Sequence, residues 1–191
     1  MKPAPCLLAL LLMFGLPAAA DQSDPRLDGL FAALQTSTDT AQAAQLTGQI
    51  LQLWQANPDP RVNALMDQGI SALAQNRLAV ALDRFSRVTG LAPGFAEGWN
   101  KLATVNFRLG NLPASARQVE KTLALEPRHF GAIGGRGMIR LALGQPFDAA
   151  ADWRRALQLN PFLSDLREQL EALERELLRN TVSVLAPGCH A

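Results

Sequence analysis

The sequence predicts an all-α solenoid of stacked helical pairs. Three observations carry that prediction: a proline returning every 34 residues, apolar columns keeping the same interval, and Gly or Asn where each helix has to stop. Pro93, Pro127 and Pro161 set the interval, with Leu91, Leu125 and Leu159 two positions before them. Gly69, Ala103 and Gly137 share a column, as do Leu65, Trp99 and Ile133, then Ala81, Ser115 and Ala149, then Phe85, Val119 and Trp153. A fixed period of this size marks units that cannot bury their apolar faces alone and must stack.

Residues 1–20 read as a secretory leader. Lys2 supplies the positive end, 6–16 an uncharged apolar run, and Ala18, Ala19 and Ala20 a small-residue cleavage site before Asp21. The run is shorter than the ~20 residues a bilayer requires. Export to a Gram-negative periplasm, or secretion, is expected, with no membrane span in the mature chain. Cys6 leaves with the leader and Cys189 remains, so no disulfide within the mature chain is possible.

Residues 21–60 predict a helical hairpin, with Leu27, Leu30, Phe31 and Leu34 on one helix and Leu46, Ile50, Leu53 and Trp54 on the other. It is expected to be a degenerate unit covering the N-terminal end of the array. Three units follow at 62–95, 96–129 and 130–163. In each, a first helix with spacing such as Trp99, Leu102, Ala103 and Phe107 should end at Asn76, Gly110 or Gly144, residues that adopt a left-handed backbone at least cost. The small residue at 69, 103 and 137 lets the two helices of a unit approach closely. From Ser164 to about residue 180 a capping helix should carry Leu166, Leu170, Leu173 and Leu177 on one stripe. Residues 181–191 are expected to be a tail.

These columns resemble the tetratricopeptide repeat (TPR) family. Its pattern is met by Trp99, Leu102, Ala103, Ala149, Ala156 and the three prolines. Ala72, Asn106 and Arg140 replace the usual Tyr, and Gln68 and Arg136 the usual Leu. The resemblance implies a concave groove lined by the first helices: Asn63, Met66, Ile70, Leu73 and Ala74, then Glu97, Asn100, Thr104, Phe107 and Arg108, then Gly131, Gly134, Met138, Leu141 and Ala142. Met66, Ile70, Asn100, Thr104, Phe107, Arg108, Gly134 and Met138 are the expected contacts to a protein or peptide partner. Members that grip a terminal carboxylate place Lys, Asn and Arg on this surface; only Asn100 and Arg108 are available, so a carboxylate clamp is not expected. Whether the groove is open, or covered by the hairpin or the last helix, stays undecided at this level.

No catalytic constellation is evident. His129 and His190 are not paired with Cys, Ser or carboxylate at a telling spacing, and His129 falls in an inter-repeat loop, where a solvated side chain is expected. Cys189 and His190 fall short of a tetrahedral metal set. Gly131, Gly134, Gly135 and Gly137 lack the spacing of a phosphate loop and sit inside a helix by register. They imply either close packing or a depression that accepts a partner's side chain. Net charge is +1, and zero without Lys2, which disfavours nucleic acid. The aromatic residues fall in core columns except Trp54, which is expected to be partly exposed. Two functions follow without any cofactor: a non-enzymatic adaptor or assembly factor holding a partner segment in the groove, or a structural component self-associating through the stripe from Leu166 to Leu177.

Overall fold

The breaks at Asn76, Gly110 and Gly144 fall at helix ends in the computed structural model, which describes residues 21–185, with side chains described for 21–180. Among these residues the chain forms nine helices: α1 (Arg26–Thr36), α2 (Thr40–Gln55), α3 (Pro60–Ala74), α4 (Leu78–Leu91), α5 (Ala96–Arg108), α6 (Leu112–Leu125), α7 (Phe130–Ala142), α8 (Pro146–Leu159) and α9 (Ser164–Leu185). Asp59 starts α3 by accepting a hydrogen bond from the Arg61 amide, and Pro60 supplies a preset φ at the first helical position. At the far ends of α3, α5 and α7, Asn76, Gly110 and Gly144 take φ of 57°, 76° and 73°. The next amide then reaches back to a carbonyl of the helix, as in Arg77 to Ala72 (2.8 Å), Asn111 to Asn106 (2.8 Å) and Gln145 to Arg140 (2.9 Å). The three turns are the same because the register puts a left-handed residue at the same place in each.

The helices pair as α3·α4, α5·α6 and α7·α8, each pair stacking on the next. Gly69 and Gly137 are there for the crossing. A Cβ at Gly69 would lie 2.5 Å from the buried Phe85 ring, and one at Gly137 would lie 2.3 Å from Trp153 Nε1. At the matching Ala103, the Ser115 hydroxyl donates to the main-chain carbonyl at 2.8 Å. Three departures from the apolar pattern, Asn106, Arg136 and Arg140, are paired across the two helices of a unit. Arg136 and Arg140 of α7 both clasp Asp152 of α8, at 2.7 and 2.8 Å, with Asp152 buried. In the unit before, Asn106 donates to Gln118 at 3.0 Å. A buried charge survives only when paired and hydrogen-bonded, so the Arg–Asp clasp fixes how α7 and α8 register against each other.

The N-terminal hairpin does not stack as a first unit on the end of the array. It lies along the edge formed by three successive inter-repeat loops. Gln22 donates to the Gly94 carbonyl and accepts from the Ala96 amide. Asp28 pairs with Arg128, and Thr47 accepts from Asn160. Leu27, Phe31, Leu34, Ile50 and Trp54 share a core with Phe130, Ile133 and Ala156 from the third unit. The apolar faces of α1 and α2 are matched to this edge, which the loops alone leave uncovered. Trp54 is therefore 1% exposed, the reverse of the expectation, and stacks on His129 at 4.2 Å between ring centroids.

Leu170 and Leu173 of α9 pack on Ala149, Ala150 and Trp153 of α8. The leucine stripe is thus engaged within the chain. The helix continues to Leu185, so residues 181–185 are helical where the sequence suggested a tail. The leader at 1–20 and the pair Cys189 and His190 lie outside the described residues. Among the described residues no helix is long and apolar enough to cross a membrane, and no three metal-ligating side chains cluster.

Candidate functional site: a groove between α5 and α7

Helical spacing places Asn100, Ala103, Thr104 and Phe107 on one stripe of α5, and Gly131, Gly134, Gly135 and Met138 on the matching stripe of α7. The stripes face each other across a groove of about 340 Å³. Val119 and Ser115 of α6 and Ile139 of α7 also line it, and Leu166 and Gln169 of α9 flank one side. A volume of this size lies at the small end of the range for ligand pockets, about 300–1,000 Å³. Its surface is mainly apolar, with neutral polar groups from Asn100, Thr104 and Gln169. Met138 is 41% exposed and Thr104 is exposed, so the groove is open to solvent.

Five of the eight expected contacts meet here: Asn100, Thr104, Phe107, Gly134 and Met138. The other three do not. Met66 is 2% exposed, packed in the core of the first unit, and Ile70 is half-buried. Both border a separate shallow cleft with Gln52 and Gln55 of α2 and Ala56, which follows it. Arg108 turns back toward the first unit, donating to the Leu73 carbonyl at 3.1 Å and to Asn76 at 2.8 Å. Its guanidinium braces the α3 C-terminus, where a cation is favoured.

A buried polar cluster supports one end of the groove. His129, expected to be solvated, is 2% exposed because Trp54 covers it. Its Nδ1 accepts from the Ala132 amide at 3.1 Å and so caps α7. Nε2 then carries the proton and donates to Glu97 Oε2 at 2.8 Å. Lys101 pairs with the other Glu97 oxygen at 2.9 Å, and the Asn100 amide donates to Oε2 at 2.9 Å. Burial raises the Glu97 pKa, but the His129 hydrogen bond and the charge of Lys101 outweigh it and hold the carboxyl down at about 2. Glu97, a groove position by register, thus serves inside the wall and orients Asn100, which lines the groove. Nothing local in the sequence marks His129; its partners are 32 and 75 residues away.

The helical pairs, the left-handed turns at one interval and the groove between first helices define a helical-repeat protein. A family model described as tetratricopeptide repeat matches residues 66–130. A TPR repeat-containing protein of Rhizobium etli is 33% identical over 162 residues, covering 85% of this chain and 79% of its own length. The chain belongs to the tetratricopeptide repeat family. Solved structures share the fold at lower identity. The Sgt2 TPR domain from Aspergillus fumigatus gives a TM-score of 0.64 at 18% identity, covering 70% of this chain and 90% of that domain. The first TPR domain of Spaghetti (RPAP3), bound to the HSP90 peptide SRMEEVD, gives 0.59 at 22% identity, covering 62% and 94%.

Proposed function

We propose that this chain is a non-catalytic adaptor that holds a segment of a partner protein in the groove between α5 and α7. The observation that carries the proposal is an open, mostly apolar groove whose two walls are held by buried structure. Asn100 is oriented by Glu97, and the α7 wall by the His129 cap and the Arg136–Asp152 clasp. A groove fixed in advance binds at lower ordering cost than one that forms on contact. That an RPAP3 TPR domain of the same fold carries an HSP90 peptide supports the class of ligand. The groove here supports a different chemistry: its polar groups are neutral, while Arg108 and Lys101 are committed inside the chain. The leader-like 1–20 sequence supports action outside the cytoplasm, in a periplasm or beyond. Self-association through the α9 leucines is not proposed, because Leu170 and Leu173 are buried on α8.

Site-specific photo-crosslinking tests the reading. A benzophenone side chain at Thr104, exposed on the groove wall, should give discrete adducts in envelope preparations. The same group at Lys121, exposed on α6 outside the groove, should not. Adducts from Lys121 with none from Thr104 place the contact surface elsewhere.

A further inference from the structure

Glycine weakens a helix interior relative to alanine, so each glycine in α7 needs a reason. Gly137 has one in the Trp153 ring. Gly135 has none within the chain: a Cβ there meets no atom within 4 Å. At Gly134 a Cβ would lie 3.7 Å from Leu166, an ordinary contact. Both line the groove. In the preceding unit, the positions matching Gly131 and Gly135 are Glu97 and Lys101, whose side chains pair at 2.9 Å. The third unit lacks both side chains, and the backbone of α7 is bare where the groove lies.

Two further observations say what comes there. The groove continues an interface the chain already makes. Phe130, Leu163 and Leu166 line it and also belong to the core that seats Phe31 and Trp54 of the hairpin. The same apolar surface thus already accepts amphipathic helices presenting aromatic side chains. The charges agree, since the groove's polar groups are neutral and offer an acidic segment no free cation to pair with.

We propose that Gly134 and Gly135 form the floor of a specificity pocket that receives one large uncharged apolar side chain from an amphipathic helix of a partner protein, laid on α7 beyond the hairpin. This rests on the adaptor reading and assigns the partner's chemistry. The probe is a phage-displayed library of amphipathic helical peptides selected on the full chain, with the enriched peptides then synthesised and titrated. Enriched peptides should share a Trp, Phe or Leu on an uncharged face. Gly135→Leu should weaken them about tenfold or more, as filling a central anchor pocket does. Gly135→Ala should raise Tm by about 2–4 °C, because it removes a helix-weakening glycine without a clash. Lost affinity from filling the floor, beside gained stability from the alanine, separates a binding role from a packing role.

Peptides weakened by Thr104→Arg but indifferent to Gly135→Leu would overturn the floor and leave the groove standing. Indifference to both variants would overturn the adaptor reading as well. Enrichment of acidic peptides, no enrichment at all, or a lower Tm for Gly135→Ala would each overturn the proposed pocket.

Discussion

Replacing Glu97 by Gln removes the only full negative charge in the cluster beneath the groove while keeping its shape. The folded carboxyl sits at about 2 against an ordinary 4.5. At ~1.4 kcal/mol per pH unit, that difference corresponds to about 3 kcal/mol of stability at neutral pH. The sign follows from the direction. A carboxyl whose folded pKa is depressed contributes fully above about pH 4.5, and the contribution fades as pH falls toward 2. Urea titration followed by helical circular dichroism reads this directly. With a urea dependence of ~1–3 kcal/mol per molar, Glu97→Gln should lower the neutral-pH midpoint by about 1–3 M. The wild-type midpoint should fall steeply below about pH 4.5, and the variant's more gently, as expected for loss of one linked group. Asp24, also held down at about 2 by its hydrogen bonds to Arg26, leaves the variant a residual slope. A variant with the wild-type midpoint and the wild-type pH profile would refute the buried cluster.

Gly137→Ala, two residues from Gly135, should act in the opposite direction to Gly135→Ala. Its Cβ drives the Trp153 ring aside and breaks the 3.0 Å bond from Trp153 Nε1 to the Gly134 carbonyl, costing about 1–3 kcal/mol in urea titration. An unchanged midpoint with unchanged Trp fluorescence would count against the crossing geometry. Sequencing the N-terminus of the protein recovered from the cell envelope should read Asp21 first, and an intact Met1 would argue against the leader.

The proline interval, the left-handed Asn76, Gly110 and Gly144, and the two facing stripes were all legible because each is a one-dimensional pattern set by local backbone geometry. The hairpin's seat was not legible. Its apolar residues match no column, and their partners are loops that only the stacked array brings into line. Trp54 and His129 were misplaced together for that reason, since each is buried by the other. Met66 was misplaced for a different reason: it belongs to the apolar core between helices of the array itself, with Val62, Phe85 and Leu102. Arg136 and Arg140 looked like lapses in the pattern. Taken with Asp152 on the opposite helix, they are one compensated substitution, and a reading of columns in pairs would find it.

A stack of identical units ordinarily behaves as a one-dimensional chain whose ends melt first, because each unit touches only its neighbours. Here α1 and α2 close that chain. Bonds from Gln22 to Gly94, Arg128 to Asp28 and Asn160 to Thr47 span 72, 100 and 113 residues of sequence and tie the three loop edges to a single element. A terminal unit that comes away must give up its bonds to the hairpin, which couples the ends of the array to each other. Folding slows, since long loops must close before those contacts form. Any partner entering the groove meets walls whose spacing its own binding energy did not have to establish.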